Sequence, residues 1–309
     1  MRTACWSCAI SRADQVPPQP FKGRSAIDDA ILRICGDATE SIPEPVRGAV
    51  RYALEGGGKR LRGMLVGAAY EAAAGAGDIA DLAASVEIIH TYSLVHDDLP
   101  CMDDDDMRRG RPSTHRVFGV PVATEAGAAM IPLAAQTAYR SALGLRLPAN
   151  ACCTIVKVLM QGAGSGGMIG GQLLDLEGEG SDFSRDDLDA IHQAKTGALI
   201  AASVKIGGIA AGASPAEVEA LGRYGCRIGL AFQIMDDVLD VTASTHQLGK
   251  TAGRDVALGK STYPALLGVD GAVSRATVLI EEACDDLRSE NLLSADLGEL
   301  AGFIVSRSH

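Results

Sequence analysis

Apolar residues recur every three or four positions along nearly the whole chain from about residue 27, which is the spacing of one buried helical face. The segment after Ser184 shows the pattern well, because Leu188, Ile191 and Leu199 fall on one stripe. Ser184 and Asp187, three residues apart, resemble a capping box at the start of this helix. Alternating apolar and polar residues joined by tight turns, which are typical of strands, are missing. The pattern predicts an all-α protein.

Clusters of glycine and proline divide this pattern into helical segments. They lie at positions 56–58, 75–78, 110–112, 144–148, 178–182, 212–215 and 243–259. No repeat of solenoid length is present, and no linker follows residue 22. Residues 1–22 are polar and contain three prolines, and we expect them to form a flexible N-terminal extension. We therefore predict a single domain over residues 23–309.

Composition and charge exclude several classes of protein. The net charge of −11 argues against a general nucleic-acid binder, which is normally basic. An anionic small substrate is compatible with this charge, provided that cations or metal ions lie close to the site. No stretch reaches the roughly 18 continuous apolar residues of a membrane span, and no signal peptide is evident. We therefore expect a cytoplasmic protein without membrane insertion. Cys5 and Cys8 form a C-x-x-C pair, but the second pair that a zinc site needs is missing.

Six aspartates lie within ten residues at the end of an apolar segment that begins at about residue 79. They are Asp97, Asp98, Asp103, Asp104, Asp105 and Asp106. Pro100 takes the chain out of regular helix, which lets the later carboxylates turn back toward the earlier ones. Like charges this close repel one another, and hard divalent cations would relieve the repulsion. A solvated acidic loop is the alternative, but the cluster directly follows an apolar helix and three arginines come straight after it.

A second acidic cluster lies in an apolar helical segment that begins at Phe232. Asp236 and Asp240 are four residues apart and therefore share one face, with Asp237 between them. Carboxylates in so apolar a helix are costly unless they are paired or bound to metal. Magnesium suits them, because it binds through one or two carboxylates and completes its shell with water and phosphate oxygens. Zinc or iron would want His or Cys ligands, and calcium stays possible although no EF-hand spacing is present.

Basic residues flank the two acidic clusters. Lys59 and Arg62 follow a triple glycine and share a helical face, while Lys250 and Lys260 border a glycine-rich segment. Lys195 falls on the apolar stripe that follows Ser184, which indicates either an internal anion or a lysine whose charged end extends to solvent. Together with the carboxylates, these residues suit the binding of two diphosphates, one through metals and one directly.

At this point the sequence resembles the trans-isoprenyl diphosphate synthases, and most closely the bacterial farnesyl diphosphate synthases. The resemblance rests on segments that follow in the expected order over about residues 50–270. They are Gly57-Gly58-Lys59-Arg60-Leu61-Arg62, His90 through Asp103 with Arg108-Arg109-Gly110, Gly170-Gly171-Gln172, Lys195-Thr196-Gly197, Gln233 through Asp240 and Lys260-Ser261-Thr262-Tyr263-Pro264. An ordered set this long is very specific. It implies a bundle of antiparallel helices around a central apolar cavity, the isoprenoid synthase type, and a homodimer.

The resemblance also implies a role for each matching residue. Asp97, Asp103 and Asp236 would hold Mg²⁺, with Asp98 and Asp240 in support. Arg108, Lys195 and Lys260 would contact the allylic diphosphate, with Lys250 nearby. Lys59, Arg62, His90 and Arg109 would hold isopentenyl diphosphate. Thr196 and Gln233 would orient their dipoles toward the developing carbocation.

The length of the product is expected to depend on Tyr92. In the family the growing chain runs beside the helix that ends at the first acidic motif. Tyr92 precedes Asp97 by five residues, so its Cα lies roughly 7–8 Å further down a helix that rises about 1.5 Å per residue. A tyrosine ring there can form a floor, whereas Ser93 beside it is too small to do so. We therefore expect farnesyl diphosphate as the main product, with geranylgeranyl diphosphate as the alternative.

Two other functions are compatible with parts of the sequence. A terpene cyclase would share the first acidic motif, but its second motif normally mixes Asn, Ser or Thr and Glu. A non-catalytic subunit of a heteromeric prenyl synthase would typically lose its acidic motifs, and this chain keeps both. One departure from the family is Ala128, which stands where an Asp is usual after Gly127.

Overall fold

The computed structural model describes residues 23–37, 39–178, 183–242 and 261–306. Within these ranges the first helices are α1 (Arg24–Asp37), α2 (Val46–Leu54), α3 (Leu61–Ala72) and α4 (Ala80–Asp97). A two-stranded ribbon, β1 (Met107–Arg108) and β2 (Arg111–Pro112), follows the first acidic motif. The next helices are α5 (Thr114–Phe118), α6 (Val120–Gly144), α7 (Ala149–Ala163) and α8 (Met168–Glu177). The rest are α9 (Arg185–His192), a π-helical turn (Gln193–Gly197), α10 (Ala198–Ala211), α11 (Pro215–Thr242), α12 (Tyr263–Ser289) and α13 (Ala295–Ser306).

Helix α10 lies at the centre of the packing. It contacts α3, α7 and α11, while α4 packs against α3 and α6, and α12 runs along α11. Most residues of α10 are buried, as expected of a helix that is apolar on every side. This arrangement places the ends of α4 and α11, which carry the two acidic motifs, within one helical bundle.

Glycines let several of these helices approach backbone to backbone. A Cβ atom at Gly207 would lie 2.3 Å from the Val66 carbonyl oxygen, and one at Gly225 would lie 2.5 Å from the Cα of Ala201. Real side chains do not fit at such distances. The close packing of α10 against α3 and α11 therefore depends on these two glycines.

The all-α prediction is confirmed, with one small addition and one local difference. The β1–β2 ribbon turns through Arg109 and Gly110, both with positive φ, which is the backbone of a tight hairpin. The capping box is present, because Ser184 Oγ accepts from the Asp187 N–H and Asp187 Oδ2 accepts from the Ser184 N–H. The predicted continuous helix after Ser184 is instead interrupted by the π-helical turn. The predicted N-terminal extension, residues 1–22, lies outside the described residues, and the single-domain boundary stays a prediction.

One described stretch, Arg185–Ala211, is long and apolar enough to cross a membrane by length and composition alone. Of its most apolar window, 67% is buried inside the protein. The buried core helix of a globular protein passes the same test, and α10 occupies that position here.

Candidate active site

A basic cavity of about 470 Å³ lies where the N-terminus of α3 meets α4 and the β1–β2 turn. The four residues predicted to hold isopentenyl diphosphate all line it: Lys59, Arg62, His90 and Arg109. Phe232, one turn before the second acidic motif, also borders the cavity. The structure thus brings these four residues together from three separate segments of the chain.

The triple-glycine loop is shaped to lie against Arg109. Gly57 and Gly58 both have positive φ, which glycine adopts at little cost. A Cβ atom at Gly58 would lie 2.8 Å from the Arg109 Cζ, and the Arg109 guanidinium donates to the Gly57 carbonyl. A side chain at Gly58 would therefore displace one of the cavity's cations.

A buried ion pair between Arg60 and Glu87 joins the end of this loop to α4. Arg60 and Glu87 are 3% and 2% exposed, and their Nη1 and Oε2 atoms lie 3.9 Å apart. Glu87 Oε1 also accepts from the Gly63 N–H at 2.8 Å, and Arg60 Nε donates to Asp28 Oδ1 at 2.8 Å. Glu87 was not among the site residues predicted from the sequence. The signal was present, because a glutamate three residues before His90 stands in an otherwise apolar helix.

The charges around the cavity favour an anionic ligand. Burial, followed by the charges of Arg62, Arg109 and Arg108, holds the pKa of His90 well below its usual range. Burial also lowers the pKa of Arg62, against the opposing effects of Glu87 and Asp236. Within the described residues, the buried Nε of Arg62 has no hydrogen-bond partner. A neutral histidine beside several arginines is a suitable environment for a diphosphate.

The first acidic motif turns back on itself after α4, as Pro100 predicted. The Asp103 N–H donates to the Asp97 carbonyl at 2.8 Å. The pKa of Asp97 is raised to about 6, chiefly by burial; the charge of Lys195 opposes this rise, that of Asp103 adds to it, and Arg108 and Asp98 act in the same two ways more weakly. Partly desolvated carboxylates held together in this way fit a hard divalent cation.

Arg108 is directed to the acidic motif itself. Its Nε donates to Asp98 Oδ1 at 3.0 Å, and its Nη2 donates to Asp105 Oδ2 at 3.3 Å. Asp98 is buried and engaged by Arg108, which suits a supporting role, and Asp97 and Asp103 stay the predicted metal ligands. Contact of Arg108 with a diphosphate stays a prediction.

The π-helical turn carries Lys195 and Thr196 into the site. Lys195 Nζ lies 2.6 Å from Asp175 Oδ2 on α8, and its charge also acts on Asp97. Thr196 Oγ1 donates to Gln233 Oε1 on α11 at 3.0 Å. The two residues predicted to orient dipoles toward a carbocation therefore contact each other. Asp175 is a further site residue, which was not predicted from the sequence.

In the second acidic motif the middle carboxylate has a structural task. Asp237 is buried, accepts from the Tyr263 N–H at 3.1 Å and lies 3.5 Å from His192 Nε2. Asp240 is buried as well, whereas Asp236 is partly exposed and its charge acts on Arg62. Asp237 thus fixes α11 to α9 and to the start of α12, whereas the charge of Asp236 acts on Arg62 of the basic cavity.

Tyr92 is buried on α4, one turn and a half below Asp97, with 3% of its surface exposed. Burial, with a smaller effect of Asp97, raises the pKa of Tyr92 to about 12. Ser93 Oγ donates to the His90 carbonyl at 2.9 Å, so this hydroxyl is engaged in its own helix.

Two of the predicted site residues, Lys250 and Lys260, lie outside the described residues. In the described part of the chain, no three His, Cys, Asp or Glu side chains are close enough to hold an ion by themselves. That finding is compatible with magnesium, which takes few protein ligands and completes its shell with water and phosphate.

Comparison with known proteins points to one family. Residues 43–293 match the family model described as polyprenyl synthetase. The chain is 39% identical over 298 residues to the chloroplastic geranylgeranyl pyrophosphate synthase of Capsicum annuum, covering 94% of this chain and 80% of that protein. It is 39% identical over 269 residues to the farnesyl diphosphate synthase of Bacillus subtilis, covering 87% and 90%. The structure of geranyltransferase from Helicobacter pylori, complexed with magnesium and isoprenyl diphosphate, gives a TM-score of 0.74 at 30% identity, covering 94% of this chain and 98% of that one.

Proposed function

The chain belongs to the polyprenyl synthetase family and is a short-chain prenyltransferase, and we propose that it joins isopentenyl diphosphate head-to-tail to allylic diphosphates, with farnesyl diphosphate as the main product. The observation that carries this proposal is the basic cavity lined by Lys59, Arg62, His90 and Arg109. It supplies a metal-free diphosphate site in addition to the carboxylates of the first acidic motif. Two diphosphate sites of different chemistry are what a condensation of two diphosphate substrates requires.

In the first step the allylic carbon–oxygen bond breaks, and its electron pair leaves with the diphosphate. Asp97 and Asp103 in the first acidic motif and Asp236 in the second would hold Mg²⁺ ions, with water and phosphate oxygens as the remaining ligands. Bound Mg²⁺ would stabilise the negative charge that develops on the leaving group. The charge of Lys195 acts on Asp97 and would add a fixed positive charge near the leaving diphosphate. Thr196 and Gln233, hydrogen-bonded to each other, present oxygen dipoles to the allylic cation.

In the second step the double bond of isopentenyl diphosphate attacks the allylic carbon and forms the new carbon–carbon bond. Lys59, Arg62, His90 and Arg109 hold the isopentenyl diphosphate during this attack. The resulting cation then loses a proton to the departed diphosphate, which leaves a new allylic diphosphate that is five carbons longer. Neutral His90 positions the substrate without competing for that proton.

The product length is assigned from Tyr92. Its ring is buried on α4, and burial raises the pKa of its hydroxyl to about 12, so the hydroxyl stays protonated. We propose that this ring ends the space for the growing chain at the farnesyl length. Geranylgeranyl diphosphate is the alternative, and the names of the relatives support the two products equally.

We further propose that the enzyme works as a homodimer in the cytoplasm. Tyr139 and Leu143 on α6 are 42% and 49% exposed, and an apolar helix face of this kind is typical of a subunit interface.

Product analysis tests the function directly. Purified protein is given isopentenyl diphosphate with dimethylallyl or geranyl diphosphate and Mg²⁺, and the products are separated by chain length. We expect farnesyl diphosphate from the wild type, at least one isoprene unit more from Tyr92→Ala, and wild-type products from the neighbouring Ser93→Ala control. Mainly geranylgeranyl diphosphate from the wild type would refute the product, cyclic products would indicate a cyclase, and no turnover would indicate a non-catalytic subunit.

A further inference from the structure

The ring of His96 sits in a slot that only a glycine leaves open. A Cβ atom at Gly127 on α6 would lie 2.1 Å from His96 Nε2 and 2.3 Å from its Cδ2. His96 Nε2 also lies 3.1 Å from the carbonyl oxygen of Thr124. Because a carbonyl oxygen can only accept, Nε2 is the donor. The ring is therefore fixed to α6 by shape and by one hydrogen bond.

The fixed ring of His96 in turn contacts Tyr92. The two residues are one helical turn apart on α4, and their ring centroids lie 5.4 Å apart at an angle of 88°, an edge-to-face contact. Tyr92 is buried, while His96 is half-buried. The orientation of the tyrosine ring thus depends on a histidine that α6 holds in place.

We propose that His96 and Gly127 determine product length by holding the Tyr92 ring across the path of the growing chain. This inference rests on the proposed function, because it assumes that Tyr92 is the floor. His96 and Gly127 are positioning residues in this scheme and need not touch the substrate. Ala128 follows Gly127 but is exposed, so the departure from the family at that position does not fill the slot.

Two substitutions remove the support in different ways. His96→Ala deletes the ring against which Tyr92 packs, and Gly127→Ala places a methyl group where the ring now lies, so that the ring must leave. We expect each variant to change the ratio of geranylgeranyl to farnesyl diphosphate by roughly threefold or more, the size expected for loss of one aromatic contact. His96→Ala is expected to raise that ratio, since the freed Tyr92 ring no longer blocks the chain.

The experiment measures products of the full-length enzyme at saturating isopentenyl diphosphate, geranyl diphosphate and Mg²⁺. Gly144→Ala is the matched control, because Gly144 belongs to the same helix and an added Cβ there would meet nothing within 4 Å. His96→Gln serves as a second variant if His96→Ala fails to fold, since it can still donate to Thr124 but has no ring. The thermal midpoint and the KM for isopentenyl diphosphate are measured in parallel, because general destabilisation would change these without changing the product ratio.

The outcomes separate the inference from the proposed function. Altered ratios in the His96 and Gly127 variants, with wild-type products from Gly144→Ala, support the inference. If Tyr92→Ala lengthens the product while the His96 and Gly127 variants keep the wild-type ratio, the inference is refuted and the floor stands. If Tyr92→Ala leaves the product unchanged, the floor itself is refuted, and the inference falls with it.

Discussion

Glu87 is a buried carboxylate that lines the basic cavity and holds other residues of that cavity in place. It is the buried counter-charge to Arg60, its pairing fixes the start of α3, and α3 carries Arg62. Removing one partner of a buried ion pair is costly, because the other charge stays desolvated without compensation. The position of the basic cavity is therefore coupled to a residue on the neighbouring helix.

We predict that Glu87→Gln lowers the free energy of unfolding by about 3 kcal/mol and raises the KM for isopentenyl diphosphate more than that for the allylic substrate. The amide keeps the acceptor for the Gly63 N–H but removes the charge that faces Arg60. Urea unfolding and initial rates provide the two measurements. Asp28→Asn is the control, because Asp28 also binds Arg60 but is 40% exposed and should matter far less. Equal changes in the two KM values would count against the division of the sites.

The depressed pKa of His90 predicts a pH dependence of stability. Below about pH 6.5 the unfolded chain takes up a proton at His90 that the folded chain does not. The free energy of unfolding that comes from keeping His90 neutral is therefore present above about pH 6.5 and is lost as the pH falls. The raised pKa of Asp97 has the opposite sign between about pH 4 and 6, and it is common to both proteins compared here. We expect His90→Gln to lose less stability than the wild type between pH 7 and pH 5 in urea titrations. Parallel curves for the two proteins would contradict the assignment.

At the scale of single residues, the sequence predicted what local spacing determines. The return of Asp103 toward Asp97 follows from Pro100, and the capping box follows from Ser184 and Asp187. Asp175 was not predicted, because its partner Lys195 lies 20 residues away on a different helix. Pairings of that kind are decided by tertiary packing, which a single sequence does not display.

Among the helices, the π-helical turn is the element that most affects the chemistry. It is held between two glycines on neighbouring helices. A Cβ at Gly171 on α8 would lie 2.1 Å from the backbone nitrogen of Lys195, and one at Gly229 on α11 would lie 2.6 Å from the Cα of Gly197. The contacted atoms are backbone atoms, which cannot rotate away as a side chain can.

We predict that Gly229→Ala lowers kcat by about 10- to 100-fold while the KM for isopentenyl diphosphate changes little. The methyl group must push the turn away from α11, which separates Thr196 from Gln233, and displacements of about 1 Å can cost this much in rate. Gly67→Ala is the control, because this helical glycine has open space around it. Steady-state kinetics on folded protein, checked by circular dichroism, decide the matter, and a wild-type kcat would show that the turn tolerates the shift.

The helices were predictable from apolar spacing, but the π-helical turn was not. Its residues keep nearly the same apolar stripe as the flanking helices, and only the hydrogen bonding distinguishes it. Lys195 was recognised as a lysine on an apolar stripe, yet the physical reason, an extra residue in the turn beside α8 and Asp175, required the packed structure.

On the scale of the whole molecule, an acidic protein has to bind two acidic substrates. The net charge of −11 is overcome locally, by arginines and lysines in the basic cavity and by carboxylates that fit a divalent cation. Removing the metal should abolish diphosphate binding at the carboxylates but not in the basic cavity. This difference can test, without following turnover, whether the two sites bind diphosphate separately.

We predict that inorganic diphosphate stabilises the fold in two separable increments. In excess chelator it should bind the basic cavity alone and raise the thermal midpoint, since any ligand of the native state stabilises it by about 2.7 kcal/mol at 100 times its Kd. Adding Mg²⁺ should give a second increase through Asp97, Asp103 and Asp236. Differential scanning fluorimetry should then show that Arg62→Ala loses the first increment and Asp97→Ala loses the second. The two diphosphate sites would not be distinct if the second rise in the thermal midpoint persisted in excess chelator. The same would follow if either variant lost both increments.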